Sequence, residues 1–501
     1  MKHHLTGLCA LVLAGAPAAH AQTLEIDDSP FGLGTLSAGD GALPQDIWEG
    51  ADADALRGLL AGMPRAYAEP AYLDAARRVL LSPATAPEGA DDALAGAKLL
   101  AAAELGFYRE AGQLAELAPG LSGQPALTKV AALSALLDGD VRRACQRGAR
   151  LTQGRADPFF LRLRYLCYVD AGEGSAADLT LGLLRDQGLD EGADRVFTAL
   201  QTSGDLGASV SPGDAFAYAA VQMLGAEVSA SAVPELPGSV LAALARDADA
   251  DTDARLAALK RALALGLIGT GEGQRLAADM AVTDLAAEVV AVATERPGSV
   301  GGAEAVAASL RGAEDYGAFR ARAALFRDAL AGTSPVAGYA PDADVLALGA
   351  LVAGEAAAAR AWLSAMRADP SADPGAYDAL SALATLAEGG TRAVSVPLTD
   401  PLARTDTDAA DLVAEALAAA RGGSAGAGAL AALVGLGVDA EDEADAIRES
   451  VVLAMLEQSG LAGDVARRAA LDIEAAAAFV MLTGGTVASG DPVPRVKPAP
   501  R

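Results

Sequence analysis

One spacing constrains this chain more than any other. Gly106, Gly139 and Gly172 open the segments Gly-Phe-Tyr-Arg-Glu-Ala111, Gly-Asp-Val-Arg-Arg-Ala144 and Gly-Glu-Gly-Ser-Ala-Ala177, at intervals of 33 residues. Each glycine follows an apolar helical end: Leu99-Leu100, Leu136-Leu137, or Leu166 with Val169. A glycine ends a helix in the left-handed backbone region without a Cβ penalty, and an alanine five residues on lets the next helix lie close to its partner. Three such units at one interval predict stacked helical hairpins, each burying its apolar face against its neighbours. Gly354 and Ala359 repeat the spacing once more, out of register.

The chain is 52% hydrophobic but only 4% aromatic, so its core must be built from Ala, Leu and Val, which suits closely spaced helices. Alternating β-branched and aromatic runs, the mark of strands, are scarce. Helices are expected at 52–60, 70–81, 215–224, 240–246, 254–265, 274–294, 303–310, 316–330, 344–368, 376–386, 407–421, 427–436, 443–457 and 464–482, joined by Gly, Pro, Asp and Ser. The expected fold is all-α, a helical-hairpin repeat array that is extended or curved. Repeats over 46–204 continue through 205–395 into a helical region at 396–485, with soft boundaries near 201–212 and 388–406. Residues 22–45 read as a flexible Gly-rich arm and 486–501 as a disordered Pro-rich tail.

The period and the turn resemble the tetratricopeptide repeat over roughly residues 93–190. Gly106, Tyr108, Glu110, Ala111 and Ala118 agree with the turn and second helix of that consensus, while its first-helix Trp and Leu-Gly are missing. The resemblance implies an α-solenoid with a concave groove that binds peptide or protein partners. Tyr108, Arg164, Tyr165 and Tyr168 fall in this region and are candidates to line such a groove, although packing between helices accounts for them as well. Trp48 is a candidate anchor on the N-terminal arm, or the aromatic that seals the first helix pair.

Residues 1–21 read as a signal peptide: Lys2, the apolar run 8–15, and Ala19-His20-Ala21 before a cleavage site. The expected product is exported to a bacterial periplasm. No later stretch is long and apolar enough to be a transmembrane anchor. All three histidines (His3, His4 and His20) precede the cleavage site. The mature chain therefore lacks a His base, a Ser-His-Asp or Cys-His pair and His-ligated metals, and no cofactor is expected. A formal net charge of −28 repels nucleic acid and anionic lipid. The aspartates at 247, 249 and 251 resemble a calcium loop, but Thr252 and Ala258 stand where Gly and the closing Glu belong, so the run reads as a loop and helix cap.

Cleavage leaves Cys145 and Cys167. An even count in an oxidising compartment favours a disulfide over two thiols. In the hairpin register both lie 11 residues from Ala156, in the turn at 154–158, hence at one height on neighbouring antiparallel helices.

The expected function is that of a non-enzymatic periplasmic scaffold or adaptor binding a protein or peptide partner in envelope assembly. One alternative is a peptidoglycan-active enzyme, since soluble lytic transglycosylases carry a helical superhelix and Glu449-Ser450 has the residue types of their catalytic pair. No Gly-Leu-Met-Gln motif follows it. Another is a structural subunit of an envelope machine.

Overall fold

The computed structural model describes residues 29–388 apart from 68, 119, 205, 207–209, 297 and 336–340, together with 424–436 and 461–487. The expected signal peptide with its histidines, the helices at 407–421 and 443–457, the Glu449-Ser450 pair, the boundary at 388–406 and nearly all of the tail lie outside these residues.

Among the described residues the fold is all-helical, with two isolated β-bridges and no strand. The helices α1 (Ala53–Ala61) and α2 (Pro70–Leu81) lead into three hairpins. These are α3 (Asp92–Ala102) with α4 (Tyr108–Leu117), α5 (Pro125–Leu137) with α6 (Val141–Ala149), and α7 (Pro158–Asp170) with α8 (Gly174–Asp186). The middle of the chain runs through α9 (Glu191–Thr202), α10 (Ala215–Leu224), α11 (Gly238–Arg246), α12 (Thr252–Leu265), α13 (Thr270–Asp279), α14 (Asp284–Thr294) and α15 (Val300–Arg311). It ends through α16 (Tyr316–Leu325), α17 (Arg327–Gly332), α18 (Ala343–Val352), α19 (Ala356–Ala368), α20 (Pro374–Ala387), α21 (Ala425–Leu436) and α22 (Ala462–Thr483).

Local chemistry explains many of these starts. Asp52, Asp91, Asp140, Asp190, Asp214 and Asp315 each cap a helix by accepting a backbone N–H, and each sets a negative charge against the positive end of the helix dipole. Part of the chain's acidity thus sits at helix N-termini. Asp251 caps α12 in the same way, with Ala254 N 3.0 Å from its Oδ1, and Asp247 accepts from Tyr218 and Gln222. The acidic run at 247–251 is a structural loop.

The repeat glycines do what their spacing predicts. Gly106, Gly139, Gly172 and Gly354 have φ of 117°, 76°, 73° and 82°, and each separates two helices of a hairpin. Ala111, Ala144, Ala177 and Ala359 are buried at the start of the second helix.

Three single helices expected from periodicity are each two helices. The pattern over 274–294 breaks between Asp279 and Asp284, where Thr283 caps α14. The pattern over 316–330 breaks at Phe326, whose φ of −103° and ψ of 19° leave the helical region. The pattern over 344–368 folds back at Gly354 into α18 and α19. Ala-rich periodicity runs on through a turn because alanine suits either face of either helix.

An open, extended array is not what these contacts describe. One continuous apolar core links the described elements, and it crosses the expected boundary near 201–212 through the buried Leu200, Val210 and Phe216. The chain also returns on itself: α22 packs on α16, α18, α20 and α2, and α21 packs on α1 and α2. Gly426 N donates to Ile47 O at 2.7 Å, and Tyr67 Oη donates to Leu433 O at 3.0 Å.

The described part of the expected flexible arm is held rather than loose. Phe31, Leu36, Leu43, Ile47 and Trp48 are buried. The N–H groups of Thr35 and Leu36 both donate to Leu81 O, and Leu43 N donates to Ser82 Oγ at 2.8 Å. Gly34 lies so close to the 81–83 backbone that a Cβ would stand 2.2 Å from Pro83 N.

Candidate functional site

The groove that the first helices of an open array would line is filled here by the chain itself. The α3 helix is covered by α1, α2 and residues 30–32, α5 by α10 and α11, and α7 by α10. Specific contacts fix this covering. Lys98, at 0% exposure on α3, donates from Nζ to Phe31 O at 2.5 Å and stands 4.6 Å from the Phe31 ring centre. Burial pushes its pKa down to about 7. On α7, Arg162 lies over the Phe216 ring at 4.5 Å and donates to Asp214 at 2.6 Å.

The α3–α4 turn is held from the other side. Arg246 of α11 grips Glu272 of α13 through two hydrogen bonds of 2.9 Å and lies over the Tyr108 ring at 5.4 Å. Arg109 reaches the same Glu272 at 3.1 Å. The bond from Arg246 holds Glu272 below its ordinary pKa, and burial pushes Tyr108 up to about 12. Gly106 belongs to this knot: a Cβ there would lie 2.8 Å from Gly238 O.

For the candidate partner-binding residues these contacts favour the alternative of packing between helices. Trp48 is 1% exposed, stands edge-on to Phe31 at 5.6 Å, and meets Gly426 so closely that a Cβ there would lie 2.6 Å from the indole. It joins the N-terminal segment to α21. Tyr108 and Tyr165 are both fully buried, Tyr165 stacking on Phe197 at 4.7 Å and donating its hydroxyl to Phe197 O. Arg164 and Tyr168 are half-buried on α7. Neither of these two side chains is fully exposed, because α7 is enclosed by α6, α8 and α10.

The second helices face outward, and α6 is the distinctive one. It buries only Val141 and Ala144. Its hold on α7 comes from the Cys145–Cys167 disulfide, with Cα atoms 5.7 Å apart, and from Gly148, where a Cβ would lie 2.7 Å from Leu163 Cδ2. Both cysteines are half-buried, and they meet at the height that the hairpin register requires. Asp140 caps α6 by accepting from Arg143 N at 2.9 Å.

With its inner side packed on α5 and α7, the outer side of α6 is a face of arginine. Arg142, Arg143, Gln146, Arg147 and Arg150, with Asp140, line an open recess of about 500 Å³. Its walls are the side chains themselves, so it suits a flat or extended ligand rather than an enclosed small molecule. Two rows divide the face. Arg143 and Arg147 both donate to one oxygen of Glu116 at the end of α4, the second at 3.0 Å. Arg142, Gln146 and Arg150 form a parallel exposed row, and no carboxylate is paired with Arg142 or Arg150 among the described residues. Leu117, beside Glu116, is 74% exposed.

Sequence reasoning by motif missed this face, yet its signal is plain. Residues 141–164 hold seven arginines and one aspartate in a chain of net charge −28. Charge counted over the whole chain hides it.

Among the described residues no helix is long and apolar enough to cross a membrane. No protein-family model, curated protein or solved structure matches the chain.

Proposed function

We infer that this protein is a non-catalytic scaffold or adaptor of tetratricopeptide-like build, exported to the periplasm, that engages a protein partner in the cell envelope. It does so through the outward faces of its second hairpin helices rather than through a concave groove. The observation that carries this reading is the contrast between the two sides of the hairpins. The inner sides of α3, α5 and α7 are covered by the chain's own helices, while α6 turns an arginine face to solvent. The glycine turns at one interval and the buried alanines after them support the repeat reading. The disulfide supports export, since such bonds persist in oxidising compartments.

A photo-cross-linking residue at Gln146, compared with one at Val282 (90% exposed on the loop between α13 and α14), tests this reading in the cells that make the protein. A defined partner caught from 146 and not from 282 is the expected result. A partner caught equally from both, or a product whose signal segment is retained in the cytoplasm, contradicts it.

A further inference from the structure

The α6 face specifies the chemistry of what binds it, and this step rests on the scaffold reading above. We propose that the row Arg142, Gln146 and Arg150 is a docking site for an extended acidic peptide segment of a partner protein. The row is exposed and has no carboxylate partner among the described residues. Its members are four residues apart, and Arg150 keeps helical backbone angles as the C-cap. The two guanidinium-bearing positions are thus roughly 12 Å apart along the helix. Alternate residues of an extended strand are spaced by about 6.6 Å, so acidic side chains two and four residues apart match the row, with the Gln146 amide between them.

Glu116 shows the recognition already at work on the same helix. Its carboxylate lies across Arg143 and Arg147, the row parallel to the empty one, and both arginines donate to it. Arginine favours a planar carboxylate over a point charge because its donors are fixed in a fork. Dense polyanions fit less well. A chain of net charge −28 repels nucleic acid or an anionic bilayer over its whole surface, whereas a short segment with a few carboxylates meets chiefly the local arginine field.

The test is a titration of the disulfide-intact full chain into a short dye-labelled peptide of alternating glutamate and alanine, read by fluorescence anisotropy at low ionic strength. Lysine–alanine peptide, inorganic phosphate and a single-stranded oligonucleotide serve as further probes. Binding of the acidic peptide is expected, weakened at least about tenfold by the double substitution Arg142→Glu with Arg150→Glu. Neither arginine supports the fold, so circular dichroism should be unchanged. Glu116→Gln frees the second row and should tighten binding several-fold, more than Glu191→Gln at an exposed site on α9. Equal binding by wild type and the double variant overturns the proposal, as does preference for the oligonucleotide or for phosphate, or no binding at all. If the cross-linked partner is still captured by the double variant, the scaffold reading stands and the acidic-segment site falls.

Discussion

The helices α6 and α22 both carry clustered arginines, and they use them in opposite ways. On α22, Arg467 and Arg468 pair with Asp464 of their own helix, Arg468 reaches Asp74 of α2 at 3.1 Å, and Asp464 also receives Arg78 of α2 at 2.9 Å. Further along α22, Asp472 receives Arg320 of α16 at 3.0 Å and the Tyr316 hydroxyl at 2.6 Å. Those charges fasten the end of the chain to its beginning and its middle. On α6 one pair of arginines is satisfied by Glu116, and the other row faces solvent. Charge spent internally builds a seam. Charge left over builds a surface.

The seam should be the costlier place to cut. Arg320 is 4% exposed and also donates to Ala264 O at 2.8 Å. Arg320→Ala leaves Asp472 without its charged partner and should cost about 3–5 kcal/mol in chemical denaturation. A loss below 1 kcal/mol would mean that the seam is not a fixed contact.

Next comes the bond that holds α6. Cys145→Ser with Cys167→Ser should cost about 3 kcal/mol, and reductant should do the same to the wild type. Because α6 buries so little else, its amides should lose hydrogen-exchange protection while those of α22 keep theirs.

The repeat glycines sharpen the contrast between outer and inner positions. Gly172 has no atom within 4 Å of an added Cβ, so Gly172→Ala carries only the backbone strain of a positive φ, about 1 kcal/mol. Gly106→Ala adds a clash with Gly238 O and should cost clearly more in the same denaturation series.

A pH-dependent effect belongs to Lys98. Its pKa in the fold is about 7, below the usual lysine value. Between these values the unfolded chain holds a proton that the folded chain has released, so rising pH favours the folded state across that window. Stability of the wild type relative to Lys98→Met should therefore increase from pH 7 towards pH 10. A flat difference would show that Lys98 keeps its proton. Arg142→Ala and Arg150→Ala stand last, each within about 0.5 kcal/mol of wild type.

What the sequence makes legible is the local part of this molecule. Hairpin turns at Gly106, Gly139, Gly172 and Gly354, the meeting of Cys145 with Cys167, and helix bounds such as Pro70–Leu81 follow from short-range rules of turn, cap and period. The closure of the chain does not. Trp48 against Gly426 and Arg78 against Asp464 join residues hundreds of positions apart, and no local pattern marks either partner. That closure is also what misdirects a reading of the site. Tyr108 and Tyr165 are plausible groove residues only while the inner side of the hairpins is open. Once α10 and α11 cover that side, the aromatic residues become core and the arginines of α6 become the surface.

The contrast between seam and surface can be read in one experiment: arginine-specific chemical modification of the native protein, followed residue by residue by mass spectrometry. Arg142 and Arg150 should react readily, while Arg78, Arg246 and Arg320 stay protected until the protein unfolds. Modification of Arg78 or Arg320 as fast as that of Arg142 and Arg150 would contradict the account, because the chain would then be open where it is described as closed.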